Sequence, residues 1–325
     1  MPFTVAASQY YDGAAAPSPA YSGTFIPTLW SSKLIEKFYN TTVLNVMANT
    51  DYEGEIKSQG DQVNIRTRPT LTINDYQAGQ ELAVQRPTSN IVSLNIDKGK
   101  YWNAIVDDVM ETQSDINMMN IWAEDASEQM KIQIDTDVLG NIAVDVDASN
   151  QGNIAGAISG SLQLGVAAAG AGTTATQILA TGGGDGSTSI RNAVDFIVDL
   201  NQALDEQNIP ETGRYVILPA WFCNRIKTGE LKDASIAGDS TSILRNGRVG
   251  MIDRTTVYVS NLLPRDNLEW TVFAGHQHGL TFASQVTKTE TIRAERTFGH
   301  MMRGLQVYGY KVVDGTGLAV GIVKQ

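Results

Sequence analysis

The 325-residue chain is short of the residues on which secreted proteins and membrane proteins depend. Its one cysteine, Cys223, excludes an internal disulfide framework and fits folding in a reducing cytosol. A small hydrophobic residue buried beside Trp221 and Phe222 is the simpler interpretation of this cysteine, and a nucleophile is the alternative. No apolar run is long enough to cross a bilayer, and the first residues lack the pattern of a secretion signal. We therefore expect no membrane association.

Familiar catalytic and cofactor-binding motifs are also missing. The sequence has no G-x-S-x-G, no H-E-x-x-H and no G-x-G-x-x-G after a strand, and the triple glycine at 182–184 has no lysine near it. His276 and His278 could place two imidazoles on one face of a strand, but two ligands favour a surface strand end over a metal site. We predict no catalytic, cofactor-binding or metal residues, and no cofactor.

Positive charge is scarce. The chain has 24 Lys and Arg against 35 Asp and Glu, and a net charge of −11 argues against a protein whose main task is to grip phosphate backbones. Residues 132–190 contain no Lys or Arg, which predicts a solvated acidic surface, with a weak Ca²⁺ or Mg²⁺ site as the alternative. The acidic residues in this span are Asp135, Asp137, Asp145, Asp147 and Asp185.

The strongest positive pattern lies between Ser114 and Asp147. Apolar residues recur three or four apart, at Met119, Ala123, Ala126, Met130, Ile134, Val138 and Ile142. Ser114 and Asp115 suit an N-cap and an acidic first turn. We predict one helix of about thirty residues, roughly 45 Å long. A helix of that length needs a sheet laid along it, so it acts as a spine.

Other patterns predict the elements around this spine. Residues 1–24 predict a loose arm, and 28–38 predict a short amphipathic helix. Alternation at 56–67 and again at 91–97 predicts a long two-stranded ribbon that lies on a neighbouring chain. The remaining predictions are a helix at 190–204, a buried strand at 214–219, a helix to about 229, strands at 257–263, 270–274 and 286–296, and a hairpin of 305–313 with 318–323.

The order of these pieces resembles the major capsid proteins of tailed bacteriophages, which have the HK97-like fold. Individual phrases resemble the P22 coat-protein-like branch of that family, and the similarity covers most of residues 24–323. The phrases are 26–27 with Trp30, 52–56 with Gly60 and Asp61, 214–219 with Trp221 and Phe222, 257–264, and 304–312.

The resemblance implies an α+β HK97-like capsid fold in four parts. These are an N-terminal arm and short helix at 1–55, an extended two-stranded β loop at 56–100, a peripheral domain with the spine helix from 101–147 and 284–325, and an inserted axial α/β domain at 148–283. The implied function is that of a major capsid (coat) protein that self-assembles into an icosahedral shell around phage double-stranded DNA. Such a protein is assembled in the host cytoplasm and located in the virion capsid.

The resemblance also implies partners and contacts. The partners are other copies in pentamers and hexamers, a scaffolding protein, a portal, a decoration protein, and packaged DNA held by weak contacts. The expected inter-subunit residues are Trp30, Phe38, Ile65, Leu71, Ile73, Val92, Leu94, Arg293 and Arg296. Some relatives join Lys to Asn covalently; Lys57, Lys98 and Lys100 lie in the right region, but no buried carboxylate is visible beside them. An encapsulin-like compartment shell and an unfamiliar hydrolase or binding protein are the alternative functions.

Overall fold

The computed structural model describes residues 39–51, 62–69, 71–82, 84–109, 118–166, 175–180, 190–229, 250–295 and 297–325. All of them belong to one compact unit, Phe38–Gln325. The predicted N-terminal arm, the short helix at 28–38 and the triple glycine lie outside the described residues.

The described part of the chain contains four α-helices and fourteen strands. The helices are α1 (Leu44–Met47), α2 (Met118–Asn141), α3 (Ala193–Glu206) and α4 (Ala220–Thr228). The strands are β1 (Ala48–Asn49), β2 (Gln62–Arg66), β3 (Ile91–Asn95), β4 (Lys98–Asp107), β5 (Thr176–Leu179), β6 (Ile190–Asn192), β7 (Arg214–Leu218), β8 (Met251–Ile252), β9 (Thr255–Val259), β10 (Arg265–Asp266), β11 (Glu269–His276), β12 (Leu280–Arg293), β13 (Gly299–Val312) and β14 (Leu318–Lys324).

A four-stranded sheet in the order β1-β12-β13-β4 carries the spine helix. β12 and β13 form a long hairpin whose register runs from Leu280 opposite Val312 to Arg293 opposite His300. β4 lies antiparallel to β13 along its whole length. Successive side chains of a strand point to opposite faces, and in β4 the even-numbered residues are more buried than the odd-numbered ones. One face of this sheet is therefore covered and the other is open.

The spine helix is present, but it ends earlier than its sequence pattern predicts. α2 ends at Asn141, and residues Ile142–Asp145 continue as a 3₁₀ turn. Gly140 and Asn141 have low helix propensity, which explains why the α-helix stops although Ile142 remains buried. The predicted N-cap at Ser114 lies outside the described residues.

The acidic span is not uniformly solvated, which corrects the sequence-based prediction. Asp135 is buried and accepts hydrogen bonds from the backbone N–H groups of Val43, at 2.6 Å, and Leu44, at 3.4 Å. Its burial raises the pKa of the carboxyl group. The carboxylate therefore anchors the segment around α1 to the spine helix.

An eight-stranded mixed sheet forms the larger core. Its order is β6-β5-β14-β11-β7-β9-β8, with β10 paired to β11. All five residues of β7 are buried, as the apolar run at 214–219 predicts. α3 and α4 pack together through Phe196 and Phe222, whose ring centroids are 6.0 Å apart. Cys223 is buried in the same core, where burial raises the pKa of its thiol to about 11.

The hairpin predicted around residues 314–317 is wrong. β13 belongs to the four-stranded sheet, whereas β14 pairs with β11 and β5 in the eight-stranded sheet. The first four residues of β14, Leu318 to Gly321, are all buried, so the strand needs a central position with both faces covered. Residues 318–324 therefore belong to the sheet of the inserted segment rather than beside the spine helix.

Glu206 of α3 forms hydrogen bonds with the loop at 152–166. The Glu206 carboxylate accepts hydrogen bonds from the N–H groups of Ile158, at 2.7 Å, and Ser159, at 3.0 Å, and from the Gln202 amide, at 3.0 Å. Burial acts to raise the pKa of Glu206, but these hydrogen bonds outweigh it and lower the pKa to about 2. A carboxyl group with a lowered pKa stabilises the fold above its unfolded pKa.

We expect Glu206→Gln to lower the melting temperature of the subunit by about 1–3 °C at pH 7, because the charged acceptor is lost. This difference from the unaltered protein should shrink as the pH falls from about 4.5 towards 2, since Glu206 is then protonated. Calorimetry across this range measures the difference. Glu211→Gln, at an exposed carboxylate, is the control. A difference that stays constant down to pH 2 would contradict this role of Glu206.

Candidate assembly surfaces

A long hairpin projects from the subunit. β2 and β3 pair in antiparallel register from Gln62 opposite Asn95 to Arg66 opposite Ile91. Further hydrogen bonds keep the same register beyond the strands: Thr67 with Asn90, Thr72 with Gln85, and Gln77 with Gln80. The turn that follows uses Gly79, whose φ of +89° suits glycine. We call residues 62–95 the ribbon; a chain extended from Gln62 to the turn at Gly79 would span about 50 Å. The predicted pairing of two alternating segments is found over Gln62–Arg66 and Ile91–Asn95.

The root of the ribbon is packed on its own subunit. Ile65 and Leu94 are buried in a small apolar cluster with Ile96 and Ala283. We predicted both residues as contacts with a neighbour, and this needs correction, because both side chains are used inside the subunit. Val92, from the same strand as Leu94, is half-buried.

The tip of the ribbon is apolar and exposed. Ile73 is 90% exposed and Val84 is 89% exposed, and Leu71 and Leu82 are also largely exposed. Counting on by twos from the register of β2 and β3 assigns these four residues to the face of Ile65 and Leu94, although they lie beyond the ends of both strands. The apolar face of the ribbon therefore extends beyond the body that covers its root.

The other predicted contact residues are not on the ribbon. Arg293 ends β12, at the far end of the four-stranded sheet, and forms an exposed ion pair of 2.7 Å with Asp108. Trp30, Phe38 and Arg296 lie outside the described residues. The structure thus brings together Ile65, Leu71, Ile73, Val92 and Leu94 on one hairpin and leaves Arg293 apart from them.

The open face of the four-stranded sheet is a second candidate surface, which the sequence interpretation missed. Tyr101 is 81% exposed, and Ile105, Ile292 and Leu305 are partly exposed on the same face. A groove of about 370 Å³ runs beside Tyr101 and Leu305. The alternation of residues 98–107 could have indicated this open face, but only together with the pairing of β4 to β13.

Three charged side chains lie in this groove. The Glu290 carboxylate pairs with Lys288 and, at 2.7 Å, with Arg303. Hydrogen bonds from these two residues lower the pKa of Glu290 to about 2. The trio therefore stays ionised at neutral pH and carries one net positive charge.

The residues considered for metal binding or covalent chemistry in the sequence include His276, His278 and Lys98. The rings of His276 and His278 stack with centroids 5.2 Å apart, and burial, followed by the neighbouring His278, lowers the pKa of His276. Within the described ranges, no group of three or more His, Cys, Asp or Glu residues could hold a metal ion. Lys98, considered for a covalent link, is bound to Asp137 and Tyr310 inside the subunit.

Among the helices that are described, none is long and apolar enough to span a membrane.

The fold matches solved structures of phage shells. A structure from Mycobacterium phage Che8 is 26% identical, covers 92% of this chain and 97% of its own, and has a TM-score of 0.71. The capsid of cyanophage P-SCSP1u is 15% identical, with coverage of 92% and 93% and a TM-score of 0.67. The capsid of a native GTA particle is 12% identical, with coverage of 96% and 99% and a TM-score of 0.62. The two matches at 15% and 12% identity show the fold alone. The fold is HK97-like and matches phage capsids.

A family model described as phage capsid protein matches residues 92–321. The chain belongs to this phage capsid protein family, as the major capsid protein that forms the shell of a tailed phage. Comparison with curated proteins gave no match. The comparisons give no support to the compartment-shell or hydrolase alternatives.

Proposed function

We propose that copies of this chain associate as pentamers and hexamers around double-stranded DNA, and that the ribbon of each copy lies on a neighbouring copy. The observation that carries this proposal is the exposed apolar face at the ribbon tip, formed by Leu71, Ile73, Leu82 and Val84. A two-stranded ribbon is marginal in water, so this face needs another surface to cover it.

The body of the same subunit leaves the ribbon tip uncovered, because Ile73 is 90% exposed and Val84 is 89% exposed. A second copy is therefore the natural source of the covering surface.

Charge supports the open sheet face as the seat of the ribbon tip. Residues 69–85 contain Asp75 and Glu81 and no Lys or Arg. The groove on the open face has Lys288 and Arg303 flanking Glu290, together with the apolar side chains of Tyr101 and Leu305. Complementary charge fixes the register of such a contact, and the apolar residues supply most of its affinity.

The remaining assignments follow from this arrangement. We assign the four-stranded sheet with α2 to a peripheral domain and the eight-stranded sheet to an axial domain near capsomer centres. Assembly in the host cytoplasm would involve a scaffolding protein and a portal, with a decoration protein added to the shell. The role is structural rather than enzymatic. With a net charge of −11, the chain should touch packaged DNA weakly and in a salt-sensitive way.

Particle mass tests the proposal. Multi-angle light scattering and negative-stain images should show closed megadalton particles for the full chain. When a two-residue turn replaces residues 71–84, we expect subunits near the chain mass of 35.1 kDa, because the apolar tip is gone. A matched insertion of two glycines at the exposed turn, after Gly79, should leave assembly intact. Closed particles from the shortened chain would contradict the ribbon contact.

A further inference from the structure

The ribbon is not part of the sheet from which it projects. β2 and β3 form their own two-stranded sheet, and only two residues, Ile96 and Asp97, separate β3 from β4. No continuous ladder of backbone hydrogen bonds therefore fixes the angle between the ribbon and the body. The angle is therefore set by packing: by the buried root cluster of Ile65, Leu94, Ile96 and Ala283, and by the contacts around residues 95–98.

The first of these contacts is a backbone crossing at Gly309. The chain at Asn95 and Ile96 passes directly over Gly309 of β13, and a methyl group at Gly309 would lie 3.0 Å from the Cα atom of Ile96 and would overlap the carbonyl oxygen of Asn95. Contacts this close involve backbone atoms, which cannot rotate away as a side chain can. Glycine is therefore required if the ribbon is to leave the sheet at the observed angle.

The second contact is a polar cluster at Lys98, the first residue of β4. The Lys98 ammonium donates to Asp137 of α2 at 3.1 Å and to the Tyr310 hydroxyl at 2.5 Å. The hydroxyl of the buried Tyr308 donates to the same Asp137 carboxylate at 3.0 Å. Lys98 also lies 4.2 Å from the centroid of the Tyr310 ring. The base of the ribbon is thus tied to both the spine helix and β13.

This cluster is ionic at neutral pH. Burial acts to raise the pKa of Asp137, but hydrogen bonds from Lys98 and Tyr308 hold it below its ordinary value. Burial acts to lower the pKa of Lys98, but its bonds to Tyr310 and Asp137 hold it above its ordinary value. Charge-assisted hydrogen bonds in a half-buried site are stronger than exposed ion pairs, so this cluster holds the base of the ribbon in place.

We propose that Lys98, Asp137 and Gly309 are positioning residues that set the exit angle of the ribbon, and through it the curvature of the shell. This inference rests on the proposed ribbon contact between copies. An extended ribbon would be a lever about 50 Å long, so a 10° change at its base would move the tip by about 9 Å. Because every copy repeats the same contact, a small change in angle alters the size of the closed particle.

Two substitutions with matched controls test the proposal in particles assembled from full-length chains. Lys98→Met removes the ammonium and keeps the apolar stem, and Lys100→Met on the same strand is its control. Gly309→Ala adds the overlapping methyl group, and Gly99→Ala is its control, because a methyl group at Gly99 meets its nearest neighbours at 4.0 Å. Lys98→Arg is the conservative variant. Electron microscopy measures particle diameters, and urea unfolding measures subunit stability.

We expect Lys98→Met and Gly309→Ala to give a second size class, or a mean diameter changed by at least a tenth, while both controls keep one native class and Lys98→Arg restores it. A folded Lys98→Met subunit that forms no particles would also support the role, provided that Lys100→Met assembles. Native diameters for Lys98→Met would overturn the proposal, whether or not Gly309→Ala folds. If Lys98→Met gives native diameters, the chain shortened at 71–84 separates the two proposals. Failed assembly of the shortened chain would support the ribbon contact between copies without the proposal on its angle. Successful assembly of the shortened chain would contradict both proposals.

Discussion

Replacing Arg214 by methionine should cost the subunit about 2–4 kcal/mol of unfolding free energy, a large part of the 5–15 kcal/mol typical of a folded protein. The side chain of Arg214 is 0% exposed and pairs with Asp205 at 2.7 Å. It also donates to the carbonyl groups of Ile209 at 2.6 Å, Pro210 at 2.9 Å and Asn201 at 3.5 Å.

These acceptors explain the size of the expected effect. The guanidinium satisfies carbonyl groups at the end of α3 and in the turn before β7, where no water reaches its own atoms. Methionine fills much of the same volume but donates nothing, so the carbonyl groups of Asn201, which is buried, and of Ile209 and Pro210, which are part-buried, lose their partner. Asp205 is 40% exposed and can be hydrated, which keeps the loss below that of a fully buried ion pair.

Arg254→Met is the matched control. Arg254 pairs with the same Asp205 at 3.1 Å and with Glu211 at 2.5 Å, but its side chain is 44% exposed. An exposed ion pair contributes about 0–1 kcal/mol. Urea unfolding of unassembled subunits measures both variants free of assembly effects. Equal midpoints for Arg214→Met and Arg254→Met would show that burial of Arg214 does not decide stability.

Introducing a charge at the ribbon tip should abolish assembly and leave the subunit folded. In Ile73→Asp, a carboxylate would enter the apolar contact proposed between neighbours, and burying an unpaired charge costs several kcal/mol. A closed shell repeats the contact in every copy, so the penalty multiplies across the particle. We expect the fraction of protein in particles to fall at least tenfold, measured by analytical ultracentrifugation.

Tyr76→Asp separates the effect of the apolar face from that of charge alone. Tyr76 is exposed near the same tip, but strand alternation places it on the opposite face from Ile73. This variant should assemble at more than half of the normal yield. Equal loss of particles in both variants would contradict a one-sided contact, and normal assembly of Ile73→Asp would contradict the contact itself. The urea midpoint of each subunit should stay close to that of the unaltered protein, because Ile73 is 90% exposed there.

Local patterns in the sequence predicted the individual elements well. The apolar run at 214–219 became the buried strand β7, and the period of residues 190–204 became α3. The alternation on either side of the turn at Gly79 gave the ribbon with its register. In each case the signal is the spacing of apolar residues along one segment, so the sequence carries the needed information.

Errors arose where distant segments meet. Asp135 is buried because the N–H groups of Val43 and Leu44 reach it from elsewhere in the chain. β14 joined the eight-stranded sheet, although the short turn before it had predicted a hairpin with β13. A turn signal reports that the chain changes direction, and it carries no information on which sheet receives the next strand.

The sequence by itself determined the spine helix, α3, β7 and the two faces of the ribbon strands, since these follow from spacing along the chain. Only the tertiary structure decided which faces are covered. It buried Ile65 and Leu94 against Ala283, left Ile73 and Val84 exposed on the same ribbon, and opened one side of the sheet at Tyr101. Burial is a property of what packs against a side chain, and for these residues the packing partners lie far away in the chain or, as we propose, on another copy.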